Sequence, residues 1–413
     1  MTPEQRREIA GRLAGLDVLE LEIDRLVTGG EGMGRFEGIP VFVPRSTPGD
    51  RLRVRIVERR SGYARAEIET VLRPGPARRP APCPHFEHCG GCDLQHIEDG
   101  AQTAYKVASV RETLERLGGI RWPATAGVRR ADAWGYRLRT SLHTEPLGEG
   151  TRVGYRARRS HQLVSVDRCP VLVPELEAVV GGLGRRLPAP APRRIDLAAG
   201  DPGTWTAAPL LENLAHGEVE LHAAGLCYAY DARCFFQAHR GLVESLINTA
   251  VGDWRGGRAV DLYAGVGHFS LPLARHYDEV MGVEVDRIAV RHARRNARHN
   301  GVTNLRVEQA AVERWVAGLP PDLDRVLVDP PRSGLPGVVR HALRARAPER
   351  ITYVSCDAAT LARDRRELTI DYAVEALTVL DLFPQTGHVE TVVQLVRGPE
   401  STETREGGPP AGC

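Results

Sequence analysis

Two stretches near the end of the 413-residue chain carry side chains suited to covalent chemistry. In "YVSCDAATLARD", 353–364, Cys356 follows a strand-like run and opens a helical one. A thiol at such a junction stands on the rim of a sheet, where the positive end of the helix favours its thiolate. A small hydrophobe filling a gap would read the same way, so the motif alone does not choose. In "HVETVVQL", Glu390 begins a later strand and supplies a carboxylate.

The chemistry follows from what stands beside them. "DLYAGVGHFS", 261–270, follows a strand and opens a helix, and Gly265 and Gly267 allow a ligand to approach the backbone. Ser270 occupies the third glycine position of a dinucleotide fingerprint, which argues against a nicotinamide cofactor. Glu284 ends the next strand, where a carboxylate can accept both ribose hydroxyls of an adenosine ligand. Asp261, Gly265, Gly267 and Glu284 together read as a site for S-adenosylmethionine, with a plain structural turn or a nicotinamide site as the alternatives. "DPPRSGL", 329–335, directs Asp329 into the same crevice, and Arg332 stands where an amine methylase would carry an aromatic residue. Carbon 5 of a pyrimidine is too weak a nucleophile to take a methyl group unaided. A thiolate adding at carbon 6 turns it into an enolate that can, and a base must then remove the carbon 5 proton. Cys356 fits the first role and Glu390 the second.

A second group of thiols lies upstream. "CPHFEHCGGCDLQH" places Cys83, Cys89 and Cys92 within ten residues, and Cys169 in "VDRCPVL" is a candidate fourth ligand. A Cys-Pro step is a recurring feature of iron–sulfur ligation. Zinc prefers two paired Cys-x-x-Cys knuckles, although His85, His88 and His96 keep a zinc reading open.

The elements that must position these groups divide the chain. Short alternating runs between 16 and 74, broken by Gly and Pro, predict four or five strands closed into a small OB-like barrel. "RPGPARRPAP" ends it as a stiff linker. Residues 75–235 form a central α+β part with one amphipathic helix, "QTAYKVASVRETLERLG", and Arg- and Tyr-rich strands suited either to RNA or to a solvated sheet face. Over 236–397, strands "RAVDLY", "EVMGVEV", "NLRVE", "DRVLVDP" and "ITYVS" alternate with helices, and two further strands close the sheet. That pattern predicts a doubly wound, Rossmann-like α/β domain with an antiparallel edge. A polar lead-in occupies 1–15, and the tail 398–413 is compositionally disordered. No internal repeat is present.

The net charge of +2, with 26% charged and 42% hydrophobic residues, is that of a soluble globular protein. Any nucleic-acid surface must come from local clustering of charge. Lys106 is the only lysine, which reflects compositional bias. No apolar run is long enough for a membrane span and no signal peptide is visible, so a cytoplasmic, monomeric protein with reduced cysteines is expected.

Taken in order, "FFQAH" (235–239), "DLYAGVGHFSLPLA", "VLVDPPRSGL", "YVSCDAATLARD" and "GHVETVVQL" resemble the RNA 5-methyluridine methyltransferase family, and residues 16–74 resemble its TRAM domain. The resemblance implies that Gln237, Tyr263, Glu284 and Asp329 bind S-adenosylmethionine, that Cys356 is the nucleophile and that Glu390 is the base. It also implies a 4Fe–4S cluster on Cys83, Cys89, Cys92 and Cys169, with a structural or RNA-shaping role. A TRAM domain together with the cluster is typical of members acting on 23S ribosomal RNA. The T loop of transfer RNA is the alternative substrate, and a weakly catalytic RNA-binding protein or chaperone is a more distant one. Three positions depart from the pattern: Ala358 stands for a proline, His268 for an asparagine in the cofactor loop, and Ala310 for a side chain that touches adenine.

Overall fold

The computed structural model describes residues 15–398 apart from 121, 124, 149 and 369–371, so nearly all of the lead-in and the tail lie outside the described residues. Strands Val18–Leu26, Gly32–Phe36, Ile39–Val43, Arg51–Arg60 and Tyr63–Arg73 form a closed five-stranded barrel. Along Val18–Leu26 burial alternates with the two-residue period of a strand, so Leu19, Leu21 and Ile23 enter the barrel while Glu20 and Glu22 face out. Val41, Val43, Leu52 and Val54 complete the core with no exposed surface. Closure leaves no free strand edge.

The large sheet contains eight strands in the order Leu305–Gln309, Tyr277–Glu284, Gly256–Leu262, Arg325–Val328, Arg350–Ser355, Glu390–Arg397, Tyr372–Leu380 and Gly127–Arg129. The first five run parallel, and Glu390–Arg397 is antiparallel to its neighbours. The strands Arg325–Val328 and Arg350–Ser355 are almost wholly buried, as β strands covered on both faces must be. The edge strand Gly127–Arg129 was not anticipated from sequence. Three residues give no periodic signal, and only pairing with Thr378–Leu380 makes them a strand.

A five-stranded antiparallel sheet occupies the middle of the chain, built from Trp205–Ala208, Arg194–Ala199, Arg139–Leu147, Gly150–Arg156 and Leu163–Ser165. A separate hairpin, Val219–Ala223 with Leu226–Tyr230, packs against the helix Arg287–His299. Helix Asp99–Gly118 reaches across to the large sheet. Its Lys106, only 3% exposed, donates to Asp381 at 2.7 Å and to the carbonyl of Phe383 at 2.9 Å. Among the described residues no helix is long and apolar enough to cross a membrane.

Candidate active site

The site lies at the carboxyl ends of the parallel strands, the crevice where doubly wound sheets place ligands. After Gly256–Leu262 the chain turns through Tyr263, Gly265 and Gly267, all at positive φ. Gly267 sits at φ +89°, a conformation strained for any residue with a side chain, and a Cβ there would also push on the Leu271 side chain. Asp261 is fully buried and bonded to Ser270 Oγ, and Glu284 accepts from the Gly265 N–H at 2.9 Å. The short helix that follows, Ser270–Leu273, is therefore tied back to the strand end by the residue that spoils a dinucleotide fingerprint.

His268 has 7% of its surface exposed and packs among Phe269, Phe236 and Tyr228. Both ring nitrogens are buried without a hydrogen bond, and burial lowers its pKa to about 3, so the imidazole is neutral. Gln237, the next residue after Phe236, is buried as well. The Tyr263 hydroxyl is likewise buried and unpartnered. Burial, then the neighbouring carboxylates, lifts both Asp261 and Asp329 to about 7.

Cys356 and Glu390 meet here. Antiparallel pairing of Ser355 with Thr391 puts Cys356 and Glu390 next to each other across the same ladder. Asp357 then accepts from the N–H groups of Ala359 and Thr360, both at 2.9 Å, and starts the helix Ala358–Leu368. Burial, then the Glu390 charge, pushes the Cys356 thiol up to about 11, while the Arg332 guanidinium opposes the shift. Glu390 is raised well above the ordinary carboxylate range by burial and by Asp329. One negative charge is thus preferred over two in this pair. Arg332 also donates to His388 Nε2 at 2.9 Å.

The loop carrying His388 and Glu390 is held from three directions. Asp93 and Leu94 donate their N–H groups to the Gln385 carbonyl at 2.8 and 2.9 Å, and Gln102 and Gln385 exchange two amide hydrogen bonds. Gly387 packs on Gly29 and Gly30 of the barrel so closely that a Cβ would lie 2.3 Å from the Gly29 carbonyl. Sequence reading missed these supports, because partners nearly three hundred residues apart leave no local pattern.

Cys83, Cys89, Cys92 and Cys169 line one cavity of about 500 Å³ that extends to Phe235, Arg139, Arg332 and His388. Burial pushes Cys92 up to about 12 and also raises Cys89 and Cys169. Of the three histidines that kept zinc open, His85 lines the cavity and bonds to Asp167 at 3.0 Å, His96 is buried against Phe86, and His88 is exposed. Phe235, 65% exposed beneath the Arg139 guanidinium, was read from sequence only as part of a motif.

A doubly wound sheet with a glycine turn, an acidic second-strand end and buried carboxylates in its crevice defines an S-adenosylmethionine-dependent methyltransferase. The chain belongs to the tRNA (uracil-5-)-methyltransferase family, whose pattern it matches over residues 212–319 and 321–398, with a TRAM domain over 17–68. It is 33% identical to the 23S rRNA (uracil(1939)-C(5))-methyltransferase RlmD of Pectobacterium atrosepticum, covering 88% of this chain and 90% of that protein. It is also 33% identical to the protein of the same name from Aeromonas salmonicida, with 91% and 95% covered. The crystal structure of Pyrococcus abyssi tRNA (uracil-54, C5)-methyltransferase with S-adenosyl-L-homocysteine shares the fold, with a TM-score of 0.70 at 24% identity over 91% of this chain and 100% of that one.

Proposed function

We propose that this protein methylates carbon 5 of a uridine in 23S ribosomal RNA. The observation that carries the proposal is the thiol–carboxylate pair, Cys356 against Glu390, at the mouth of the methyl-donor crevice. The Cys356 thiolate adds to carbon 6, and the electrons of the 5,6 double bond move into the enolate. Carbon 5 then takes the methyl group, breaking its bond to the sulfonium sulfur and leaving S-adenosylhomocysteine. Glu390 accepts the carbon 5 proton; the released electron pair re-forms the double bond and expels the thiolate. Gln237, Tyr263, Gly265, Gly267, His268, Glu284 and Asp329 hold the methyl donor. The barrel, 16–74, grips the RNA backbone, the part spanning 75–235 shapes it, and 236–397 performs the transfer in a cytoplasmic monomer.

Cys83, Cys89, Cys92 and Cys169 are the ligands for a 4Fe–4S cluster. One observation supports that fit: the four thiols line one cavity of about 500 Å³. With all four positions taken by cysteine, the cluster's contribution is to fold the loop at 83–94, whose Asp93 and Leu94 hold Gln385.

The test is mapping of 5-methyluridine in ribosomal and transfer RNA from a strain lacking the gene, with iron analysis of the anaerobically purified protein. The expected outcome is loss of one ribosomal 5-methyluridine and close to four irons per chain. Loss confined to the T loop of transfer RNA would overturn the ribosomal assignment, and stoichiometric zinc without iron would overturn the cluster.

A further inference from the structure

Away from the crevice mouth, three buried donors of three different kinds converge. Asp231 and Cys234 lie on the turn after strand Leu226–Tyr230, and His292 lies on the helix Arg287–His299. One carboxylate oxygen, the thiol sulfur and one ring nitrogen lie within 4.8 Å of one another, and all three residues are buried. Asn296 and Asn300 fix the helix to the hairpin, bonding the backbone of Ala229 and Cys227 at 2.8–3.1 Å, so the donors are held in place by rigid elements.

We propose that Asp231, Cys234 and His292 bind a divalent transition-metal ion, with zinc the best match to the donor set. Asp231 Oδ2 and His292 Nε2 are 3.2 Å apart. Ligands at 2.0–2.1 Å on a tetrahedral ion stand about 3.3 Å apart, so an ion fits with little movement. One outer contact suits a ligand: Asp231 Oδ1 accepts from the Arg233 backbone N–H at 2.8 Å, which would still hold the carboxylate once the Arg233 side chain withdraws. His292 Nδ1 is buried without a hydrogen bond, 3.5 Å from the Glu218 carboxylate. With Nε2 on a metal, the proton sits on Nδ1 and faces that carboxylate, the arrangement that orients most metal-bound histidines. The Cys234 thiol loses its proton to solvent on binding, and carboxylate plus thiolate balance the two positive charges.

Guanidinium groups now supply that charge. Arg233 Nη2 is 2.6 Å and Arg291 Nη2 3.8 Å from Asp231 Oδ2, and both side chains are more than half exposed and free to swing into solvent. The ion would pin the turn that leads toward Gln237 to the helix that follows Glu284. Three protein donors leave a fourth position for water, but burial keeps substrate out, so the role is structural.

The experiment uses the full chain carrying its iron, purified anaerobically, stripped of loose metal with a chelator and titrated with Zn(II) by calorimetry and with Co(II) by absorption. One equivalent should bind, Co(II) should give a thiolate charge-transfer band, and Zn(II) should raise the melting temperature. Cys234→Ser should remove the band and weaken Zn(II) at least tenfold. Asp231→Asn, which keeps the side chain's shape, should weaken it similarly with metal-free melting as the folding control. A band that survives Cys234→Ser but is lost in Cys83→Ser would place the metal on the other thiols and overturn the proposal. Failure of the wild type to bind Zn(II) would overturn it as well.

Discussion

Glu390→Gln should separate the two halves of the proposed reaction. Glu390 is 4% exposed and stands across the ladder from Cys356, and glutamine keeps its shape while removing both its charge and its basicity. The thiol is pushed up to about 11, first by burial and then by Glu390. At pH 8 a thiol of that pKa is ionised in roughly one molecule in a thousand, so reaching the thiolate costs about 4 kcal/mol. Removing the carboxylate lowers that cost, so the adduct should form at least as fast as in the wild type. Its resolution should slow by about 10²–10⁴-fold, the usual contribution of a positioned base. Label from the methyl donor should therefore accumulate in a protein–RNA band that survives denaturing electrophoresis. Cys356→Ala should give no band while still binding the donor. Because the thiolate is the reacting form, wild-type adduct formation should rise roughly tenfold per pH unit between 7 and 9 and shift to lower pH in the glutamine variant. A Glu390→Gln enzyme that turns over within tenfold of wild type would refute the reasoning. So would one that binds both substrates yet neither turns over nor accumulates adduct.

Three other outcomes follow from the same structure. Asp261 and Asp329, lifted to about 7 chiefly by burial, ionise between pH 6 and 8. A cationic methyl donor prefers the ionised pair, so its affinity by calorimetry should rise over that interval, and Asp329→Asn should flatten the profile. Lys106→Met leaves Asp381 buried without its cation, which should cost about 3–5 kcal/mol in urea unfolding; a loss below about 1 kcal/mol would contradict the contact. Deleting residues 1–74 should weaken RNA binding and flatten its salt dependence by roughly 0.7–0.9 in log–log slope per lost phosphate contact; it also removes Gly29 and Gly30 from beside Gly387, so methyl transfer should fall as well, and unchanged RNA affinity would contradict the reading.

The placement of the candidate site residues was legible in the sequence because strand ends, glycine turns and motif residues are adjacent in the chain. Alternating burial placed the barrel strands, and the regular succession of strand and helix after Cys234 placed Asp261, Glu284, Asp329 and Cys356 on one rim, since every parallel strand delivers its carboxyl end to the same edge. Tertiary structure decided what depends on distant partners. The edge strand Gly127–Arg129 exists only through its pairing with Thr378–Leu380. Cys356 faces Glu390 because an antiparallel register set by the whole strand pairs Ser355 with Thr391. The loop carrying Glu390 keeps its shape through Asp93, Gln102 and Gly30, and Asp231, Cys234 and His292 meet only when a hairpin docks on a helix. A sequence records which side chains are available along one dimension; hydrogen-bond register and packing between remote segments determine which of them touch.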